Sequence, residues 1–294
     1  MKQLKCASID GFDAINVDVE STFTNGLPSF TIVGLANNAI QESKDRIKAA
    51  LLSNEYKFPP KKITINLSPS EIAKTGSQFD LPIALSIALQ ETNITFNDFY
   101  IFGELGLDGT LKDTKSIFVQ VLSLTKQKLI KNILVPKASI HKIATIPNIN
   151  IYAVETLNEA IEFFSFNLLD KYKVQNHSFD YESLTINNKN YYFLQEYPLD
   201  FSDIKGQQIA KRAGLISVAG NHNIIFEGSP GCGKSMICKR LQYIMHPMSL
   251  SEILEKAKLD SLQLKEPNFT PIRNLISPHH SSTKASIIGG TKIG

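Results

Sequence analysis

The segment Gly228-Ser229-Pro230-Gly231-Cys232-Gly233-Lys234-Ser235 follows an apolar run at residues 223–226 and precedes a stretch of helical period. No other segment restricts the fold as much, because it matches G-x-x-x-x-G-K-[ST] at every fixed position and expects a strand before it and a helix after it. Its chemistry follows from the backbone. Glycines let the chain curl so that successive N–H groups face one point, and the next helix adds the positive end of its dipole, so the loop selects phosphate. In that arrangement Lys234 reaches the β- and γ-phosphates and the Ser235 hydroxyl is a ligand for Mg2+. The eight residues are therefore expected to bind ATP or a close relative.

A chain of 294 residues with 43% hydrophobic content can bury a core in each of two domains. The net charge of only +3 announces no strong electrostatic partner, so DNA is allowed without being implied. Cys6, Cys232 and Cys238 are odd in number and lack metal-site spacing, which predicts reduced thiols and a cytoplasmic protein. Residues 1–10 contain no signal-peptide core, and no run approaches the roughly 18 apolar residues of a membrane span.

Ile15, Val17 and Val19 alternate at the strand period, and Phe30, Ile32 and Leu35 repeat it beyond Gly26 and Pro28. Over 38–54, Ile40, Ile47, Ala50 and Leu51 share one helical face. After Pro59 and Pro60, the residues Ile63, Ile65 and Leu67 predict another strand, followed by an apolar helix around 81–89. A helix over 116–126, strands at 132–135 and 149–154, and a helix capped by Thr156 with Glu159 three residues on complete an α/β pattern. From about residue 170 the helical period fades, which predicts a linker. Beyond it, 206–220 reads as a helix with Ile209, Ala210, Ala213 and Ile216 inward, and 223–226 as a buried strand entering the glycine loop.

Hydrolysis needs a second acidic motif, an aspartate ending an apolar strand beside a glutamate. None is visible after Ser235, since Asp260 follows the helical stretch 252–259 and Glu266 precedes a proline. Arg273 is a candidate phosphate or partner contact, with a solvated loop arginine as the alternative.

Four stretches carry a family resemblance. They are Phe30-Thr31-Ile32-Val33-Gly34-Leu35 with Glu42, Ser43 and Arg46; residues 76–85, GSQFDLPIAL; residues 203–207, DIKGQ; and Ser277-Pro278-His279-His280 with Ser286-Ile287-Ile288-Gly289-Gly290. On these residues the chain resembles the ComM/YifB group of magnesium-chelatase-like AAA+ proteins. The resemblance implies a ribosomal protein S5 domain 2-like α/β domain over 1–168, a linker over 169–200, and the first part of a P-loop AAA+ α/β domain over 201–294. It implies a hexameric ring that acts on DNA, as in branch migration of incoming DNA. It also places the acidic strand (Walker B) just past the glycine pair, ahead of which the sequence stops at Gly294. The expectation is a fragment or prematurely ended frame that binds ATP without hydrolysing it.

Three other functions are open at this point. One is a magnesium-chelatase-like subunit that remodels a metal-inserting partner, and another is a module that only binds nucleotide or subunits. The third is a Lon-like peptidase, because the resemblance extends to that fold. Its serine and lysine positions fall on Gln78 and near Phe118, so a dyad would need Ser77 with Lys74 or Lys115 instead. Ser77 reads as a turn or capping residue and Asp80 as a helix-start anchor. Adjacent histidines such as His279 and His280 point apart and lack a third ligand nearby in sequence, which favours a loop role at a subunit interface or DNA pore over metal. Lys61 and Lys62 could meet phosphates, with a solvated strand start as the default.

Overall fold

The computed structural model describes residues 2–96, 98–279 and 281–289. The chain forms two compact units, Met1–Phe179 with Leu254–Phe269, and Asp180–Ile253 with Thr270–Gly294.

The first unit is built on an eight-stranded mixed sheet. Strands β1 (Lys2–Asp10) and β2 (Asp13–Thr24) form a hairpin, β3 (Ser29–Val33) leads into helix α1 (Asn38–Ser53), and β4 (Lys62–Ser68) leads into α2 (Asp80–Ala88). Then follow β5 (Phe99–Ile101), the small hairpin β6 (Glu104–Leu105) and β7 (Leu111–Lys112), and α3 (Ile117–Lys126). The remaining elements are β8 (Asn132–Pro136), the single turn α4 (Ile140–Ile143), β9 (Asn150–Val154), α5 (Leu157–Ser165), α6 (Leu169–Tyr172) and β10 (Lys173–Val174). The strand order is β10-β9-β8-β5-β1-β2-β4-β3. Parallel pairing joins β9, β8, β5 and β1, and also β3 with β4, while β2 runs antiparallel to both its neighbours.

Alternation sets the register: Val17 and Val19 of β2, and Ile63, Ile65 and Leu67 of β4, are fully buried on one face. Ile40, Ile47, Ala50 and Leu51 of α1 are likewise at 0% exposure, so the stripe expected from the 3.6 period is the one that packs. Asn37 caps α1 by accepting from the Ile40 N–H, and Thr156 caps α5 by accepting from the Glu159 N–H. Asp80, fully buried at the start of α2, is gripped by Arg46 of α1 at 2.9 Å and accepts from the Leu105 N–H at 3.2 Å. Burial pushes the Asp80 carboxyl up, against the opposing pull of Arg46.

Strand β1 was not anticipated. Its buried residues, Leu4, Cys6, Ala7 and Ser8, run together beyond Lys5 instead of alternating and include a polar serine, yet its backbone pairs with β2 from Lys2↔Ser21 to Asp10↔Asp13. The return of Leu254–Phe269 to the first unit was also not expected. Lys258 pairs with Asp13 at 2.5 Å, Lys142 with Glu266 at 3.1 Å, and Phe269 stands edge-on to Phe118 at 5.4 Å.

In the second unit, β11 (Glu182–Ile186) and β12 (Lys189–Phe193) form a hairpin where the sequence suggested a linker. Its two-residue turn, Asn187-Asn188, takes left-handed backbone at both positions, the geometry that a twisted hairpin favours. Strand β12 also pairs with β13 (Met248–Ser249). Helices α7 (Gln208–Gly220) and α8 (Lys234–Leu241) pack through Gly214, where a Cβ would lie 3.0 Å from Leu241 and 3.2 Å from Phe201. The unit boundary falls within α9 (Leu250–Leu262), and α10 (Lys284–Ile288) is capped by Thr283.

Two expectations for this unit are corrected. Residues 223–226 are not a strand, and Ile225 is 92% exposed. Its N–H and C=O groups have no neighbouring strand to pair with among the described residues, and apolar character alone cannot make a sheet. Helix α7 forms where expected, and of its expected inward residues Ala210 packs against the core of Phe201, Ile204 and Ile237 and Ala213 is half-buried, but Ile209 is 88% and Ile216 55% exposed.

Candidate nucleotide-binding site

Residues 228–235 lead into α8 with the backbone curl that the glycines permit. Gly231 (φ +82°) and Gly233 (φ +93°) adopt left-handed conformations. At neither would a Cβ meet another atom within 4 Å, so the demand for glycine is one of backbone strain rather than space. Gly233 is the residue before α8, and no side chain caps the helix there. The first turn of α8 therefore keeps N–H groups that have no intrahelical acceptor, on the positive end of the dipole.

Lys234 folds back across the loop and donates from Nζ to the carbonyls of Gly228 at 2.7 Å and Ser229 at 2.8 Å. Ser235 is exposed one residue further on, and Cys232 is half-buried as a free thiol. The Gln207 amide donates to the Cys232 carbonyl at 3.4 Å, which links the start of α7 to the loop.

The loop is held from behind. Ile237 of α8 is buried with Phe201 and Ile204, and Phe226, Leu241 and Ile244 pack around them. Arg240, one turn along, donates to the Asp200 carbonyl at 2.9 Å and pairs with Asp203 at 3.0 Å. Asp200 and Asp203 close a capping box. The Asp200 N–H, and then the Arg240 guanidinium, hold the Asp203 carboxyl below the usual carboxylate range. Residues 203–207 thus brace α8 and the loop. Sequence reading missed Arg240, because a pair 37 residues apart leaves no local pattern, although the Asp200-x-x-Asp203 spacing was a visible cue.

The other candidates lie elsewhere in their units. Arg273 pairs with Glu252 at 2.8 Å and donates to the His246 carbonyl at 3.1 Å, so it is engaged within the second unit rather than at the loop. Burial would raise the Glu252 carboxyl, but the Ser249 N–H, Arg273 and the Ser249 hydroxyl together bring it down to about 2. His279 contacts the Ser281 hydroxyl at 2.6 Å, while His280 and Gly290 lie outside the described residues. Among the described residues, no three His, Cys, Asp or Glu side chains group as a metal site.

At the peptidase-like position, the Ser77 hydroxyl donates to the Glu104 carboxylate, not to a lysine. Lys115 donates to the Leu264 carbonyl at 3.0 Å, and the fully buried Lys74 ammonium has no hydrogen-bond partner among the described residues. Gln78 is buried and bridges the carbonyls of Ala7 (3.2 Å) and Thr75 (2.9 Å), a scaffold role that a nucleophile could not combine with attack.

The second unit thus presents a glycine loop heading a helix, and comparison with known proteins narrows the class. Residues 19–139 match the family model described as subunit ChlI of Mg-chelatase, and residues 200–294 match that described as magnesium chelatase, subunit ChlI. The competence protein ComM of Haemophilus influenzae is 33% identical over 291 residues, covering 96% of this chain and 54% of that protein. The proteins named YifB of Salmonella typhimurium and Escherichia coli are 31% and 30% identical with the same coverage. The chain belongs to the ComM/YifB, magnesium-chelatase-like family of AAA+ type. It spans about half the length of the curated relatives it matches.

Proposed function

We propose that this chain is the nucleotide-binding part of an AAA+ ATPase of the ComM/YifB type, with residues 228–235 as the cradle for ATP. The observation that carries the reading is the pair of left-handed glycines, Gly231 and Gly233, turning the chain into the uncapped start of α8. The residues fit a triphosphate. Lys234 now donates to two neutral carbonyls, and exchanging them for phosphate oxygens adds the attraction of opposite charges to hydrogen bonds whose donor is already charged. Ser235 offers its hydroxyl to Mg2+, which when bound neutralises charge on the β- and γ-phosphates. The bracing of α8 by Asp203, Ile204 and Arg240 fixes the loop relative to its helix and lowers the ordering cost of binding.

Residues 1–294 by themselves are proposed to bind ATP without turning it over. Among the described residues after α8, no carboxylate ends an apolar strand, and Glu252 is committed to Ser249 and Arg273. By analogy with the relative named a competence protein, the whole protein is proposed to form a hexameric ring that drives branch migration of incoming DNA in the cytoplasm. Among the described residues, no helix is long and apolar enough to cross a membrane. Because both family models are named for a chelatase subunit, the second reading is a ring that remodels a metal-inserting partner. Stimulation of turnover in the longer protein by branched DNA supports the first reading, and indifference to DNA the second.

Calorimetric titration with ATP and Mg2+ tests the site. Lys234→Ala is expected to lower affinity about a hundredfold or more, about 2.7 kcal/mol. Unchanged affinity overturns the assignment, and magnesium-dependent phosphate release that Lys234→Ala abolishes overturns the binding-only part.

A further inference from the structure

The crossover from β3 through α1 to β4 leaves a basic, aromatic hollow that the nucleotide site does not use. After α1 the chain runs through Tyr56, Lys57, Phe58, Pro59, Pro60 and Lys61 into β4, and these residues line a hollow of about 380 Å³ with Gln90 to Thr92 on its other side. A second hollow of about 260 Å³, lined by Lys2 and Phe23, shares Gln90 with the first.

The hollow is structurally fixed. Two prolines stiffen the wall, and the backbone on either side is tied by the Tyr56 N–H to the Leu51 carbonyl (3.0 Å) and the Lys61 N–H to the Pro59 carbonyl (2.8 Å). The Phe58 ring stands 5.6 Å from Phe30, with the Lys48 ammonium 5.9 Å from its centroid. Tyr56 and Phe58 are each half-buried, so each keeps ring surface available. Charge is concentrated as well. Residues 48–62 hold Lys48, Lys57, Lys61 and Lys62 against Glu55 alone, a net charge equal to that of the whole chain, and Glu91 is the one carboxylate among the lining residues.

We infer that this hollow binds a single-stranded polynucleotide, with bases stacked on Tyr56 and Phe58 and phosphates met by the surrounding lysines. Every base has a π-face, so such stacking works without sequence preference, and lysines beside the rings track the backbone. A duplex keeps its base faces stacked inside itself, and an acidic peptide offers charge without a flat ring, so neither uses both features of the hollow. The inference deepens the DNA part of the proposed function and rests on it. It does not depend on the P-loop.

The test uses residues 1–294 and a fluorescein-labelled thymidine homopolymer, with polyglutamate as competitor. Wild type is expected to bind the oligonucleotide in a salt-dependent way. Lys57→Glu combined with Lys61→Glu is expected to weaken binding about tenfold or more and to flatten the log–log salt slope by about 1.4, roughly 0.7 for each phosphate no longer neutralised. Retained ATP affinity and an unchanged melting curve show that the variant is folded. Ultraviolet cross-linking of a bromodeoxyuridine oligonucleotide to wild type needs no variant, and is expected to label the peptide containing Tyr56 and Phe58. Cross-links confined to other segments overturn the inference, as does equal competition by polyglutamate, which marks a charge patch. Binding that the double variant leaves intact overturns the hollow while sparing the DNA reading. No oligonucleotide binding by wild type, with ATP binding intact, overturns both and leaves the nucleotide site standing.

Discussion

The two units differ in how completely their apolar residues find partners. In the first, β2, β4 and α1 bury Val17, Val19, Ile63, Ile65, Leu67, Ile40 and Ile47 at 0% exposure. In the second, the buried core around α8 is Phe201, Ile204 and Ile237, while Ile209, Ile216 and Ile225 face outward. Similar composition yields different packing because a strand or helix gains little from apolar residues until another element covers them. The loop of the second unit keeps its shape from local devices instead: left-handed glycines, a capping box and the Arg240–Asp203 pair.

The sharpest way to break this comparison is to delete the same methyl groups in each unit. Ile65→Ala in β4 is expected to destabilise the first unit by about 3 kcal/mol, combining lost transfer energy with a cavity in closed packing. Ile225→Ala removes the same atoms from a 92% exposed side chain and is expected to change stability by no more than about 0.5 kcal/mol. Segment-resolved hydrogen exchange reads the two units separately. Equal losses would mean that Ile225 is covered in solution, and the contrast between the units would fail.

How far each unit was legible follows from the same contrast. The stripe of α1 and the alternation of β2 and β4 could be read because their packing partners lie within a few tens of residues and bury one clean face each. β1 escaped because polar Lys2, Gln3, Lys5 and Ser8 leave its buried Leu4, Cys6 and Ala7 without an alternating pattern, and its place in the sheet comes from backbone pairing rather than side-chain contrast. The turn of the glycine loop into α8 was legible, since its constraint lies in local φ angles that only glycine adopts cheaply, although the strand expected before it did not form. The strand at 223–226 and the burial of Ile209 and Ile216 on α7 failed for the opposite reason. Periodicity reports that a face is apolar, not what lies against it. The Arg240 brace and the buried Asp80–Arg46 pair were out of reach because both depend on residues more than 30 positions apart.

Closure of the first unit extends to a cation. The Lys74 side chain is at 0% exposure, its ammonium has no hydrogen-bond partner among the described residues, and burial pushes its pKa down. A buried donor left without a partner costs about 1 to 3 kcal/mol, so Lys74→Met is expected to stabilise the unit by about 1 to 2 kcal/mol. The sign with pH is definite. A lysine whose folded pKa lies below its unfolded value of 10.5 is penalised while protonated, so wild-type stability should rise as pH climbs towards 10.5. The methionine variant should lack that rise. Urea midpoints across alkaline pH decide the matter, and a destabilised Lys74→Met variant would show that the ammonium has a partner in solution.

The open unit should instead be sensitive to acid, and weakly. Glu252 has its carboxyl held at about 2 against an ordinary 4.5, the Ser249 N–H and hydroxyl and Arg273 outweighing burial. A depressed folded pKa contributes stability that is complete above 4.5 and is lost as pH falls through the folded value near 2. The Glu252 side chain is 39% exposed, so water screens the pair and the contribution should not exceed about 1 kcal/mol. Asp200 and Asp203 also have lowered values in this unit, so total acid sensitivity does not isolate Glu252. The informative quantity is the difference between wild type and Glu252→Gln, followed by circular dichroism melts from pH 5 to 2. That difference should shrink as the wild-type carboxylate is protonated, because the glutamine cannot lose a charge it never had. A constant difference would assign the role of Glu252 to shape rather than charge, and would mean that this unit, like the first, is held by packing.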